Sequence, residues 1–224
     1  MARDSQHAAG AFVVLEGIDG SGKTSVARSL AARLTATGRE VVLTREPGGT
    51  GLGEAVRSLV LGGDSEMDPV AELLLFSAAR AQHVAAVIQP ALERGEVVIC
   101  DRYTASTLAY QWGGRGVSRH AIAAAQELAT GGCAPDLTML LDLPVAVAQQ
   151  RRFGEAEAVN RFDEEATAFH QRVRSAYLTL AAEDPLRWRI LDAEAAPDDL
   201  AAAAWAEVNA LIEDRNVLDE RVAW

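Results

Sequence analysis

The chain has 224 residues, 49% hydrophobic and 24% charged, with a formal net charge of −11; that length buries the core of one domain, and the negative balance argues against a non-specific nucleic-acid binder, which needs excess cation for phosphates. The two cysteines, Cys100 and Cys133, lack metal-ligand spacing, and a chain this size needs no disulfide. No stretch approaches the ~20 apolar residues of a membrane span, and the polar first ten residues lack the apolar core of a secretory leader, so the expectation is a cytoplasmic protein with neither membrane nor nucleic acid as partner.

Residues 1–10 read as a flexible N-terminal segment. Ala11 to Glu16 is a short apolar run of the buried parallel-strand kind, and 24–37 reads as a helix with Val26, Leu30 and Leu34 on one face. Further strand-type runs lie at 40–44, 96–100, 137–142 and 187–191, and helix-period stretches at 51–61, 69–94, 118–129, 144–152, 163–182 and 197–212. Pro47-Gly48-Gly49-Thr50-Gly51 is a shaped loop after the second strand. Residues 213–224 read as a C-terminal extension, with 11–212 as one domain. The alternation predicts an α/β fold of three layers, a roughly five-stranded parallel sheet with helices on both faces, and a crevice where the loops at the strands' carboxyl ends converge.

Between the first strand and first helix, Gly17-Ile18-Asp19-Gly20-Ser21-Gly22-Lys23-Thr24 matches the G-x-x-x-x-G-K-[ST] phosphate loop in full, and Lys23 is the only lysine in the chain. The loop amides from Gly17 through Ser25, with Lys23, suit the phosphates of ATP, and the Thr24 hydroxyl suits Mg²⁺. Asp101, just past the third strand, is the second candidate metal ligand; an N-cap is its alternative role. Arg102 follows it, with a guanidinium able to hold two phosphate oxygens. Cys100 reads as a small buried hydrophobe. The histidines, His7, His83, His120 and His170, form no triad or metal pattern and read as ordinary.

Thr44-Arg45-Glu46-Pro47-Gly48-Gly49-Thr50, taken with Glu16 to Gly20, Asp101-Arg102-Tyr103 and Ala109 to Gly116, resembles bacterial thymidylate kinases, P-loop nucleoside monophosphate kinases, over about residues 11–212. The resemblance implies phosphoryl transfer from ATP to dTMP, with Mg²⁺, in a homodimer. It places Asp19 at the sugar 3′-hydroxyl, Arg45 and Arg102 around the acceptor phosphate, Phe76 stacked on thymine, Arg80 at the base O4, and Thr107 and Gln111 at the base. Tyr110 crowds the sugar 2′ position, and Arg57 matches a basic position near the nucleotide. Read without the resemblance, Phe76 on an alanine- and leucine-rich helix is equally a core residue. A lid is implied at about 149–163, where Arg151, Arg152 and Arg161 are available and Arg152 is taken as catalytic; Arg151 and Arg152 equally suit a solvated helix end. Trp112, where glycine is usual, is expected on a loop near the base and sugar. It leaves open a kinase for another or modified pyrimidine deoxynucleoside monophosphate, and a P-loop NTPase switch is the alternative from a different class.

Overall fold

Strand β1 (Ala11–Glu16) is buried along its whole length, and the two-residue period of a strand divides its side chains between two cores. Ala11, Val13 and Leu15 enter the larger core with Val97 and Ile99 of β3 (Val97–Asp101), whereas Phe12 and Val14 face the smaller one with Val98 and Cys100. The computed structural model describes residues 10–62, 67–153 and 161–222, and the side chains of all of these but 152, 153, 161–165 and 216–222. With β2 (Val41–Arg45), β4 (Leu137–Asp142) and β5 (Trp188–Asp192), the strands form one parallel sheet in the order β2-β3-β1-β4-β5. The α/β three-layer architecture is therefore the one the alternation predicts.

Helices α1 (Lys23–Ala36), α2 (Gly51–Gly62) and α3 (Pro69–His83) follow the expected periods. Asp68 caps α3, its Oδ1 accepting from the Val70 and Ala71 amides. The helix runs on through a π-helical turn, Val84–Ile88, into α4 (Gln89–Glu93); Pro90, which has no N–H to give the preceding turn, sits just beyond the widening. By length and composition Pro69–Glu93 could cross a membrane. A count of consecutive apolar residues passes over it because Glu72, Arg80 and His83 interrupt it, and Glu72 and Arg80 line a cleft. The remaining helices are α5 (Thr104–Thr107), α6 (Arg119–Thr130), α7 (Val145–Phe153), α8 (Arg161–Glu183) and α9 (Pro197–Val222). α9 continues past residue 212, where Arg215 bonds the Gly10 carbonyl and Asp136.

One element departs from the sequence reading, which finds no helix between 101 and 117. α5 continues as a π-helical segment, Leu108–Gly114. Threonines, a serine and two glycines are poor helix formers, so local propensity does not signal it. Packing against α8 holds it instead: a Cβ at Gly113 would lie 2.5 Å from the Ala176 Cβ, and one at Gly114 2.5 Å from Phe169 Cε2. Gly113→Ala is therefore expected to destabilise the fold by about 1–3 kcal/mol, the usual cost of overpacking, read as a lowered denaturant midpoint.

Candidate active site

Parallel register sets the ends of three strands side by side. Asp101 pairs with Leu15 on one flank and Arg45 on the other, so the loops after β1, β2 and β3 leave from one edge. After β1 the backbone turns through Gly17, Gly20 and Gly22, all at positive φ, into α1. No side chain caps that helix, which leaves its first-turn N–H groups available to an anion. Lys23 folds back onto the loop, its Nζ donating to the carbonyls of Gly17 (3.0 Å) and Ile18 (2.8 Å). Burial, and then the nearby Arg102, bring the Lys23 pKa down from its ordinary 10.5 to about 7. Thr24 Oγ1 donates to Asp101 Oδ2 at 2.6 Å, so the two metal-ligand candidates meet although 77 residues separate them.

Next to this loop opens a cleft of about 490 Å³. Asp19, Arg57, Phe76, Arg80, Arg102, Thr107, Tyr110 and Gln111, all singled out from sequence, line it. Phe76 joins neither core cluster and is half-buried at the cleft wall. Arg80 is buried, donating through Nε to Glu46 (2.8 Å) and through its terminal nitrogens to Thr107 Oγ1 and the Tyr103 carbonyl (3.0 Å each). Gln111 donates to Glu72 at 3.1 Å, which also takes Arg115 at 2.6 Å.

Arg102 joins the two halves. Its backbone is left-handed (φ 73°), a conformation costing a non-glycine residue about 1–2 kcal/mol. From there the guanidinium bonds Asp19 of the phosphate loop (2.7 Å), Ser106 (3.1 Å), Tyr177 (3.2 Å) and Tyr110 (3.3 Å). Beneath it Glu16 is fully buried and accepts from the Tyr103 amide (2.9 Å), the Ser106 amide (3.1 Å) and hydroxyl (2.6 Å), and the Tyr177 hydroxyl (2.9 Å). Burial raises the Glu16 pKa, against the pull of Arg102 and of these donors.

Other expected residues are not gathered in. Arg45 is half-exposed, pairs with Glu54 at 3.0 Å and does not line the cleft. The side chains of Arg152 and Arg161 and residues 154–160 of the 149–163 lid lie outside what the structure describes, as do residues 1–9; Arg151 reaches the Gly20 carbonyl at 3.4 Å. Trp112 corrects an expectation. It sits in the π-helical segment, not on a loop, and lines a separate groove with Arg172, Ser175 and Ala176, its ring under Arg119 at 4.8 Å. Successive helical residues point about 100° apart, so Gln111 enters the cleft and Trp112 turns from it. Cys100 is buried with its pKa pushed well up by burial, in keeping with an inert thiol.

Sequence reasoning did not single out Glu46, His83, Glu72 or Tyr177, and saw Glu16 only as part of a motif. Acidic residues closing apolar runs, as Glu16 does, are a usable signal. Tyr177 lies too far along the chain for any local pattern to place it.

A hydrolytic switch needs a cradle for donor phosphates alone, whereas here a second, separately walled pocket shares an arginine with the cradle. That arrangement defines a P-loop phosphotransferase. A thymidylate kinase family model matches residues 15–203. Thymidylate kinase of Cereibacter sphaeroides is 52% identical over 204 residues, covering 89% of this chain and 94% of its own length. Those of Thermomicrobium roseum and Deinococcus radiodurans are each 48% identical over 202 residues, covering 90% and 89% of this chain and 96% and 97% of their own lengths. The chain belongs to the thymidylate kinase family.

The Lys23 environment generates a pH prediction. With its folded pKa near 7 and unfolded value near 10.5, the unfolded chain binds more protons between those limits, so the cost of burying charged Lys23 is fully present below pH 7 and is relieved as pH rises above it. A phosphate restores the charge. Nucleoside triphosphate binding at pH 8 should therefore take up close to one proton, seen by calorimetry in buffers of different ionisation enthalpy, and Lys23→Ala should abolish that uptake.

Proposed function

We propose that this chain transfers the γ-phosphoryl group of ATP to dTMP, giving ADP and dTDP. The observation that carries the reading is Arg102, bonded to Asp19 of the phosphate loop while lining the acceptor cleft. A cation there faces both phosphates, and phosphoryl transfer depends mainly on such alignment and charge neutralisation. Lys23 and the loop amides bind the donor phosphates, and Arg102 orients the acceptor phosphate. Arg45 joins it by exchanging Glu54 for the phosphate, a change its exposed position permits. Phe76 offers a ring face for the base, while Arg80, Thr107 and Gln111 supply hydrogen-bonding groups along its edge. Asp19 receives the sugar hydroxyl, Tyr110 walls the sugar, and Arg57 adds positive charge at the rim.

Mg²⁺ fits this chemistry. Among the described residues no group of three or more His, Cys, Asp or Glu could hold a metal alone. Thr24 and Asp101 together offer hard oxygen donors, matching an ion held by few protein ligands plus substrate phosphates. Bound there, Mg²⁺ would neutralise charge on the β- and γ-phosphates. Exposed Leu52 and Leu59 on α2, with Val70 and Leu74 on the α3 helix it packs against, support a homodimer formed through these two helices. The net charge of −11 argues against nucleic acid as a partner, and membership of a nucleotide kinase family supports small nucleotides as partners and the cytoplasm as the compartment.

The orientation of Trp112, away from the cleft, removes one reason for considering another or modified pyrimidine monophosphate as acceptor. Measuring ADP release with ATP across dTMP, dUMP, dCMP and UMP tests the whole reading; release independent of any monophosphate would favour a switch protein. Phe76→Ala should weaken dTMP binding by the ~1–3 kcal/mol of an aromatic–base stack with ATP binding unchanged. Trp112→Gly should leave the relative specificity constants for the four monophosphates within about twofold while lowering the melting temperature, because the ring packs against Arg119 and the larger core. Competition kinetics and thermal melts on the same samples check both.

A further inference from the structure

We propose that His83 is a positioning residue for the acceptor base, holding Glu46 so that its carboxylate aims the Arg80 guanidinium into the cleft. His83 is fully buried with both ring nitrogens engaged, Nδ1 with Glu46 Oε1 at 3.0 Å and Nε2 with Thr44 Oγ1 at 2.7 Å. A carboxylate paired with a guanidinium can only accept, so Nδ1 carries a proton and donates it. Nε2 is held by the Thr44 hydroxyl on the other side of the ring, whichever of the two donates. Glu46 Oε2 takes Arg80 Nε at 2.8 Å. Arg80 and His83 stand three residues apart on one face of α3 and share this carboxylate, one oxygen each. The bonds to Glu46, Thr107 and the Tyr103 carbonyl use three of Arg80's five N–H groups, which leaves two for a ligand in the cleft it lines.

Removing His83 frees Oε1. Glu46 can then turn to grip Arg80 with both oxygens, the bidentate geometry that a carboxylate and guanidinium favour. That grip takes an N–H of Nη2, the nitrogen that bonds the Tyr103 carbonyl, and shifts the guanidinium from its present aim into the cleft. The loop after β2 rests on the same pair: a Cβ at Gly49 would lie 2.6 Å from Thr44 Oγ1 and 2.7 Å from His83 Nε2. His83 thus joins the end of β2, the loop and α3 at one point beneath the pocket. This inference rests on the reading of the cleft as the acceptor-base pocket.

The experiment is steady-state kinetics with dTMP and dCMP, which differ at the base position Arg80 would contact, on the wild type, His83→Ala, His83→Asn and Arg80→Met. His83→Ala should raise KM for dTMP and lower the dTMP-to-dCMP ratio of specificity constants about tenfold, as expected for a disturbed hydrogen bond from a charged donor, while KM for ATP stays within about twofold. Asparagine can place an amide N–H near the Nδ1 position, so His83→Asn should recover most of the ratio. A lowered melting temperature in His83→Ala with the ratio unchanged would overturn the proposal, as would a well-folded His83→Asn no better than His83→Ala. Arg80→Met separates the two levels. If it leaves the ratio intact, the base-pocket reading falls and the inference with it; if it collapses the ratio and His83→Ala does not, the inference alone falls.

Discussion

The site depends on one constraint, the parallel register of β1 with β3. By placing Leu15 beside Asp101, that pairing brings the end of the phosphate loop's strand level with the Asp101-Arg102-Tyr103 turn. The Arg102 amide donates to the Leu15 carbonyl at 2.9 Å, and the Tyr103 amide to the Glu16 carboxylate at 2.9 Å, so the turn is pinned to β1 by main chain and side chain alike. A slip of one residue would carry Asp101 off Thr24, Arg102 off Asp19, and every core side chain of the strand to the wrong face. The hydrophobic cost of that slip, spread over two cores, is what secures the polar geometry at the sheet's edge.

A chain of net charge −11 that handles polyanions must concentrate its cations and hold them against their own desolvation. Three of the four arginines lining the cleft have a carboxylate partner, Arg80 with Glu46, Arg102 with Asp19 and Arg115 with Glu72, while Arg57 donates to the Pro47 carbonyl. Burying the Arg80–Glu46 pair is costly unless other groups share the load, and here His83 meets the second Glu46 oxygen while Thr107 and the Tyr103 carbonyl take two more of the Arg80 N–H groups. Such a pair contributes less to stability than to fixing the direction of its guanidinium. Exposed Arg45–Glu54 is the opposite case, a screened pair that is easily exchanged.

The long-range contacts to α8 give the site its third wall. Tyr177 hydrogen-bonds Arg102, Ser106 and Glu16, and Phe169 meets the ring of Tyr110 edge-on at 6.1 Å.

The sequence by itself determined the donor half. The phosphate loop is one contiguous motif between a strand and a helix, its chemistry lying in glycines, backbone amides and Lys23, and the alternating apolar runs determined the parallel sheet around it. It also named Phe76, Arg80, Thr107, Tyr110 and Gln111 in the cleft, because they fall in short stretches that resemble a known family. Only the tertiary structure decided how those side chains are held and which way they point. The segment from Thr104 to Gly114 is helical because α8 packs against its glycines, a contact with residues some sixty positions away that no local propensity encodes. That helical turn sends Gln111 into the pocket and Trp112 away from it. Glu16, Glu46, His83 and Tyr177 acquire their roles from burial beside partners distant in sequence, where loss of water turns an ordinary acid, imidazole or phenol into a fixed hydrogen-bonding group.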